Sequence, residues 1–205
     1  MAPNADTLRA ACQELADRDP VLQKAYAAVD LPKWRERDAE YESLARIVVY
    51  QLISTKAADA IWARVLGRFD DLTAPNLLAE DSEALLACGL SRPKLGHLRA
   101  IAQAVVYGTI DFAALVNMPI ADARKQLISV RGIGPWTADT FLMTALGHMD
   151  AFPHGDVGLM EAYKRLSLSE SRLDSKAFSL HAETWRPYRA VAAHLLYDWL
   201  NAGRA

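Results

Sequence analysis

The sequence predicts an all-helical protein, and three observations lead to this fold class. Apolar residues recur at spacings of three and four along most of the chain, as in Tyr41–Tyr50, where Leu44, Ile47 and Val48 share one face. Runs of β-branched residues with strict alternation of apolar and polar positions are scarce. Such runs are the sequence pattern of a half-buried strand. Hydrophobic residues make up 52% of the 205 residues, which is enough to bury one sizeable core or two small lobes.

The helices of the first half are predicted from apolar periodicity and from the turn residues between them. The loop Leu31–Arg35 and the polar connection Asp71–Glu80 separate groups of helices, and Arg92-Pro93-Lys94 opens the last of them. In chain order we expect helices at Thr7–Ala16, Pro20–Val29, Tyr41–Tyr50, Ala57–Phe69, Asp81–Cys88 and Leu95–Tyr107.

The second half continues in the same way and ends in a helix that Pro187 opens. The expected helices before it are Ala121–Val130, Trp136–Leu146, Val157–Leu166 and Ser175–Glu183, and the expected core stripe of the last helix is Val191, Leu195, Leu196 and Trp199. This order predicts one functional unit over 1–205, built from two helical lobes with an active-site cleft between them. One lobe combines about 1–40 with 150–205, and the other spans about 45–135.

A glycine hairpin, Gly132-Ile133-Gly134, stands between two of the predicted helices. Two glycines in three positions indicate a tight bend, and Pro135 suits the first position of the helix that follows. Backbone N–H groups left bare at such a helix start can hold a phosphate. An ordinary turn between helices, in which the glycines only relieve strain, is the alternative.

Composition limits the environment and the partners of the chain. No stretch is long and apolar enough for a membrane span, and the N-terminus has no apolar signal core, so we expect a cytoplasmic protein. Cys12 and Cys88 match no disulfide or metal spacing and are predicted to be reduced and buried. The net charge of −2 argues against a strong nucleic-acid binder, so any phosphate contacts must come from local clusters.

The segment Val130–Asp139, followed by Phe152-Pro153-His154-Gly155-Asp156, resembles the helix-hairpin-helix-GPD superfamily of DNA base-excision glycosylases. The resemblance is to its DNA-3-methyladenine glycosylase II (alkylbase) branch, and it covers about 38–202. It implies an enzyme acting on double-stranded DNA. The sequence carries no signal for the oligomeric state, and we expect a monomer. The enzyme would flip out alkylated purines such as 3-methyladenine and 7-methylguanine and excise them by hydrolysis, leaving an abasic site.

The resemblance assigns the catalytic carboxylate to Asp156. Breaking the glycosidic bond creates oxocarbenium character, which one carboxylate can stabilise while it activates the attacking water. Aspartate at a helix start also acts very commonly as a plain N-cap, and this is the alternative for Asp156.

Trp136 stands where bifunctional members of the superfamily carry a lysine nucleophile, two residues after the last hairpin glycine. Without that amine no Schiff base forms, so AP lyase activity is not expected. By position, Trp136 and Tyr188 match aromatic residues of the base pocket, where stacking and cation–π attraction would hold a cationic base. Thr140 stands where the family offers an aromatic residue, which predicts a pocket of different shape.

Leu52 matches by position the side chain that family members wedge into DNA where the damaged base has left. Gln51 remains a rival wedge, and burial of Leu52 in the core is the alternative reading. Lys56, Arg92 and Lys94 form the best local basic cluster for phosphate contact, with solvated surface charge as the alternative.

The resemblance further implies a monovalent cation, Na⁺ or K⁺, held by the backbone carbonyls of Ile128, Val130 and Ile133. No cofactor for catalysis and no iron–sulfur cluster are expected, since the chain has only two cysteines. Two other functions stay open. One is a superfamily glycosylase for oxidised, deaminated or mismatched bases, and the other is a non-catalytic DNA-binding protein that uses only the hairpin.

Overall fold

The computed structural model describes residues 3–203, in which all regular structure is helical and no strand occurs. The predicted fold class is therefore confirmed. The helices are α1 (Ala5–Arg18), α2 (Pro20–Val29), α3 (Tyr41–Tyr50), α4 (Thr55–Leu66), α5 (Ala74–Ala79), α6 (Ser82–Ala87), α7 (Arg92–Val106), α8 (Phe112–Val116), α9 (Ile120–Ile128), α10 (Pro135–Thr144), α11 (Val157–Ser167), α12 (Ser175–Ala182) and α13 (Arg189–Ala202), with a 3₁₀ turn at Glu183–Trp185.

Polar N-caps explain why several helices begin earlier than their apolar pattern does. The Ser54 hydroxyl accepts the Ala57 N–H, so α4 begins at Thr55 rather than at Ala57. In the same way the Ser91 hydroxyl accepts the Lys94 N–H, and α7 begins at Arg92. A capping side chain supplies a partner for an N–H group that the helix itself cannot satisfy.

The prediction of a polar connection over Asp71–Glu80 was wrong, because α5 lies within it. Thr73 caps this short helix, and its Ala74 and Leu77 side chains are buried. Six residues carry too few apolar positions for a helical period to stand out.

The last helix also differs from its prediction. It begins at Arg189, two residues after Pro187, and Tyr188 occupies the N-cap position. Of the expected core stripe, Val191, Leu195 and Leu196 are buried, but Trp199 is partly exposed. Periodicity identified the buried face but not the edge of that face.

The chain divides into two compact units, Met1–Glu36 with Leu142–Ala205 and Arg37–Phe141, and the division falls within α10. In the second unit α3 packs on α7, and the Tyr41 hydroxyl donates to the Leu98 carbonyl over 3.0 Å.

In the first unit α1, α2, α11 and α13 pack together. A buried aromatic cluster of Phe152, Phe178 and Trp185 contributes to this core, and Trp185 donates its indole N–H to Asp19 over 2.8 Å.

Cys12 and Cys88 are buried free thiols, as predicted. Burial raises the pKa of Cys12 to about 12, so this thiol stays protonated and inert. Across residues 3–203, no helix is long and apolar enough to cross a bilayer.

Candidate functional site

The hairpin between α9 and α10 closes so tightly that only glycine fits its first glycine position. Gly132 has a φ of 96°, and a Cβ built on it would lie 2.5 Å from the Cβ of His97 on α7. A residue with a side chain at this position would have a strained backbone, and its Cβ would clash with His97. Gly132 is explained by the chain itself.

Gly134, by contrast, is not required by anything in the chain. It is exposed, its φ lies outside the left-handed range, and a Cβ built on it would meet no atom within 4 Å. It directly precedes α10, whose first residue is Pro135. A glycine that leaves bare backbone in open space at a helix start is what close approach of an outside phosphate group would need.

A pocket of about 560 Å³ adjoins the hairpin. Its lining includes Ile128, Val130 and Ile133, the three residues whose carbonyls were predicted to bind a monovalent cation, and also Gln51 and His97. The Val130 carbonyl already accepts the Ile133 N–H over 3.1 Å. The Nδ1 atom of His97 is buried without a hydrogen-bond partner in the described residues. The pocket thus gathers the predicted carbonyl set, and the cation stays a prediction.

The turn after α3 presents Leu52 entirely to solvent. The exposed fraction of this residue is 102%, and its φ is 59°. Burial of Leu52 in the core, the alternative reading, was therefore wrong. The neighbouring Gln51 is half-buried and donates from Nε2 to the hydroxyl of Thr137 on α10 over 2.5 Å. Of the two wedge candidates, Leu52 is the one that projects freely.

The three residues of the predicted basic cluster have different surroundings. Lys56 on α4 and Arg92 on α7 are exposed. Lys94 is half-buried, and its ammonium donates to the carbonyls of Val49 over 2.6 Å and Gln51 over 2.8 Å. Burial lowers the pKa of Lys94. The structure thus leaves two of the cluster's cations on the surface and ties the third to backbone.

Trp136 and Thr140 lie on consecutive turns of α10. Both are half-buried, and the Thr140 hydroxyl donates to the Trp136 carbonyl over 2.7 Å. Tyr188 is also half-buried and sits at the N-cap position of α13, with its N–H donating to the Trp185 carbonyl over 2.8 Å. The pocket roles of the three residues stay predictions.

Asp156 is a buried carboxylate with a defined orientation. It is the N-cap of α11, where Oδ1 accepts the Leu159 N–H over 2.9 Å, and its exposed fraction is 8%. The other carboxylate oxygen, Oδ2, accepts a hydrogen bond from the Tyr197 hydroxyl over 2.8 Å. The N-cap alternative is therefore real, but it accounts for only one of the two oxygens.

Tyr197 and Gly158 are site residues that sequence reasoning missed. A Cβ on Gly158 would lie 3.1 Å from Asp156 Oδ1, so the missing side chain leaves room for the carboxylate. Burial, and then the charge of Asp156, raise the pKa of Tyr197 well above its usual value, so the phenol stays a neutral donor. Tyr197 was not identifiable because it lies 41 residues from Asp156 in an ordinary helical pattern.

The guanidinium of Arg35 contacts the ring of Tyr197. The carbon of this guanidinium lies 4.6 Å from the centre of the Tyr197 ring, and the group also contacts Asp198 over 3.3 Å. Stacking of this kind fixes the ring as well as the hydroxyl. Across residues 3–203, no three His, Cys, Asp or Glu side chains are grouped as a metal site.

Comparison with known proteins gives consistent results. The model of the family described as "HhH-GPD superfamily base excision DNA repair protein" matches residues 45–187. The chain is 32% identical over 176 residues to a Mycobacterium tuberculosis protein named "Probable bifunctional transcriptional activator/DNA repair enzyme AlkA", covering 79% of this chain and 34% of that one. It is 31% identical over 172 residues to DNA-3-methyladenine glycosylase 1 of Schizosaccharomyces pombe, covering 79% of this chain and 73% of that one.

A solved structure of 3-methyladenine DNA glycosylase (Mag1) from the same yeast, in complex with abasic DNA, superimposes with a TM-score of 0.82. The sequences are 26% identical, and the alignment covers 91% of this chain and 94% of that one. The chain thus spans about a third of the length of the bacterial relative but nearly all of this structure.

Proposed function

Because the chain belongs to the HhH-GPD superfamily of base excision DNA repair proteins, we propose that it is a monofunctional DNA glycosylase for alkylated purines. The observation that carries the proposal is the carboxylate of Asp156, buried and oriented by a helix N-terminus and by Tyr197. The name of the S. pombe relative, DNA-3-methyladenine glycosylase 1, supports the substrate class.

In the proposed reaction the lesion is flipped out of the duplex before its C1′–N bond breaks. A purine alkylated at N3 or N7 carries a positive charge, so it leaves with the bonding electrons as a neutral base. Water attacks C1′ and gives up a proton to Asp156, whose charge also stabilises the oxocarbenium-like transition state. The products are the free base and an abasic site in an intact strand.

The strand stays intact because the chain offers no amine at the nucleophile position. Trp136 stands two residues after Gly134, where a lyase of this superfamily would need a lysine. An indole cannot form the Schiff base that leads to strand cleavage. Hydrolysis is therefore the only outcome that we propose.

Recognition of the flipped base is assigned to Trp136 and Tyr188. Both side chains are partly exposed aromatics, which can stack on a base and attract its positive charge by about 1 kcal/mol each. Thr140 lacks a ring, so it leaves space rather than a stacking surface.

The grip on double-stranded DNA is assigned to the hairpin and to surface cations. The open backbone at Gly134 and the exposed Lys56 and Arg92 are available to phosphate. The carbonyls of Ile128, Val130 and Ile133 would hold Na⁺ or K⁺, which would supply a positive charge for a phosphate. The net charge of −2 favours few phosphate contacts and a weak dependence of binding on salt. We propose that the protein works as a monomer.

The test is base release from methylated duplex DNA by the wild type and by Asp156→Asn. Asparagine can still cap α11 but carries no charge, so we expect single-turnover release of methylpurines to fall about a thousandfold or more. Strand breaks are expected only after alkali. Breaks without alkali would contradict the monofunctional mechanism.

The matched control is Asp174→Asn. Asp174 also caps a helix, accepting the Ala177 N–H over 2.7 Å, and it is exposed, so its replacement is expected to leave base release unchanged. Wild-type release of oxidised, deaminated or mismatched bases in place of methylpurines would select another glycosylase class. Duplex binding without release of any base would indicate a non-catalytic DNA-binding protein.

A further inference from the structure

The turn that carries Leu52 is held in a conformation that leucine does not favour. Leu52 has a φ of 59° and is fully exposed, so it gains nothing from burial, and the left-handed backbone is unfavourable for a residue with a side chain. A strained residue persists only where surrounding contacts determine the backbone. Those contacts are made by Val49 and Gln51, which precede Leu52 in the chain.

The first contact is the ammonium of Lys94. It donates to the carbonyls of Val49 (2.6 Å) and Gln51 (2.8 Å) at the C-terminal end of α3. The last carbonyls of a helix lack partners within the helix, and a cation at this end is favourable. Lys94 is therefore an internal cap for α3, supplied from the first turn of α7.

The second contact is the side chain of Gln51 itself. Its Nε2 donates to the hydroxyl of Thr137, which is 1% exposed in the first turn of α10. Gln51 is thus fixed through its carbonyl by Lys94 and through its side chain by Thr137. The hydrogen bonds of Gln51 therefore fix the backbone that leads into the turn at Leu52.

We propose that Lys94 is a positioning residue for Leu52 and not a phosphate contact. Its ammonium holds the end of α3 so that the turn projects Leu52 outwards. The use of Leu52 as a wedge rests on the proposed glycosylase function, whereas the positioning itself does not. From the sequence, Lys94 was predicted to contact phosphate together with Lys56 and Arg92. The positioning role and the phosphate-contact role predict different results for the variants below.

The decisive variant is Lys94→Met, which keeps the length of the side chain and removes the ammonium. Without the charged hydrogen bonds, amide hydrogen exchange of residues 48–54 is expected to speed up at least tenfold, because hydrogen bonds from a charged group stabilise more than neutral ones and their loss favours local opening. Lys94→Arg, which can still donate to both carbonyls, is expected to restore protection. Lys176→Met, a change at an exposed lysine of α12, is the control and is expected to leave this exchange unchanged.

Binding of undamaged duplex separates the two roles. A lost phosphate contact lowers the slope of log affinity against log salt by about 0.9, whereas loss of positioning leaves the slope unchanged. We expect an unchanged slope for Lys94→Met. A fall of about 0.9 with normal exchange at residues 48–54 would overturn the proposal.

Measurements of base release then test whether Lys94 acts through Leu52. We expect Lys94→Met and Leu52→Ala each to slow single-turnover release about tenfold, and the double variant to be no slower than Leu52→Ala alone. Additive losses would mean that Lys94 acts elsewhere and would overturn the proposal. If the wild type releases no methylpurine, the glycosylase proposal fails, while the exchange and salt measurements still decide the role of Lys94.

Discussion

The Leu52 turn and the start of α11 at Asp156 both depart from an ordinary helical protein, and they do so in opposite ways. Leu52 is fully exposed in a left-handed conformation. Asp156 is buried, with a hydrogen-bond donor to each carboxylate oxygen. The side chain of Leu52 projects into solvent, whereas the carboxylate of Asp156 is buried and held by hydrogen bonds.

The difference teaches how far structure alone supports a functional role. A helix N-cap is a sufficient reason for an aspartate at 156, so the proposal of a catalytic role for it rests on the family and on the second donor, Tyr197. Leu52 is fully exposed and contributes nothing to the core, so its proposed role depends on contact with another molecule. The same distinction separates Gly132, which the fold requires, from Gly134, which it does not.

The hairpin glycines sharpen this distinction with the largest expected effect. Gly132→Ala places a Cβ 2.5 Å from His97 at a φ of 96°, which is expected to destabilise the fold by about 4 kcal/mol. The Cβ added by Gly134→Ala would meet no atom within 4 Å. This variant is expected to have the same free energy of unfolding as the wild type but to bind duplex DNA more weakly. Urea unfolding and duplex titration measure the two effects. Equal losses of stability in both variants would contradict the distinction.

Acid pH tests the packing of α13, the helix that carries Tyr197. His194, three residues earlier on α13, is fully buried and stacks on Trp34 at 4.2 Å, and burial lowers its pKa from 6.5 to about 4. Its stabilising effect is complete above pH 6.5, where the residue is neutral in both states. The effect is lost as pH falls towards 4, because only the unfolded chain binds the proton, and the loss is about 3 kcal/mol.

The measurement is urea unfolding of the wild type and His194→Gln at pH 7.5 and 4.5. We expect the glutamine variant to lose less stability between these pH values than the wild type does. Burial also lowers the pKa of His148, and this contribution is common to both proteins. An equal pH dependence in the two would show that His194 does not carry the effect.

Tyr197→Phe tests whether orientation of the carboxylate matters beyond its N-cap bond. Phenylalanine keeps the ring over Arg35 but removes the donor to Asp156 Oδ2. A hydrogen bond to a charged group contributes about 1.5–3 kcal/mol, so we expect single-turnover base release to slow by at least about tenfold. Unchanged binding of abasic-site DNA would place the loss in the chemical step, and unchanged release would show that the N-cap alone suffices.

The helices and the hairpin could be predicted because their signals are local. Apolar spacing gave α3 its bounds, and the glycines with Pro135 marked the tight turn before α10. Contacts between distant segments could not be predicted in this way. Lys94 meets a carbonyl 45 residues earlier, and Tyr197 meets a carboxylate 41 residues away, and neither pair has a spacing that sequence patterns encode.

The conformation of Leu52 was equally hidden, because leucine carries no sequence signal for positive φ, whereas glycine does. Leu168 shows how the same conformation is used when the fold requires it. It has a φ of 57° and is 83% exposed, but it ends α11, and its N–H donates to the Arg165 and Lys164 carbonyls. A left-handed residue is a common way to end a helix.

These two leucines therefore form a matched pair for the smallest and most specific prediction. Asparagine tolerates the left-handed region, and neither leucine side chain is buried, so Leu52→Asn and Leu168→Asn are each expected to stabilise the fold by about 0.5–1 kcal/mol. Only Leu52→Asn is expected to slow base release, because a short polar side chain cannot replace lost stacking between bases. Urea unfolding and single-turnover release measure both properties in both variants. If the two variants release methylpurines equally fast, Leu52 is a strained surface residue like Leu168, and the contrast between the Leu52 turn and the start of α11 carries no function.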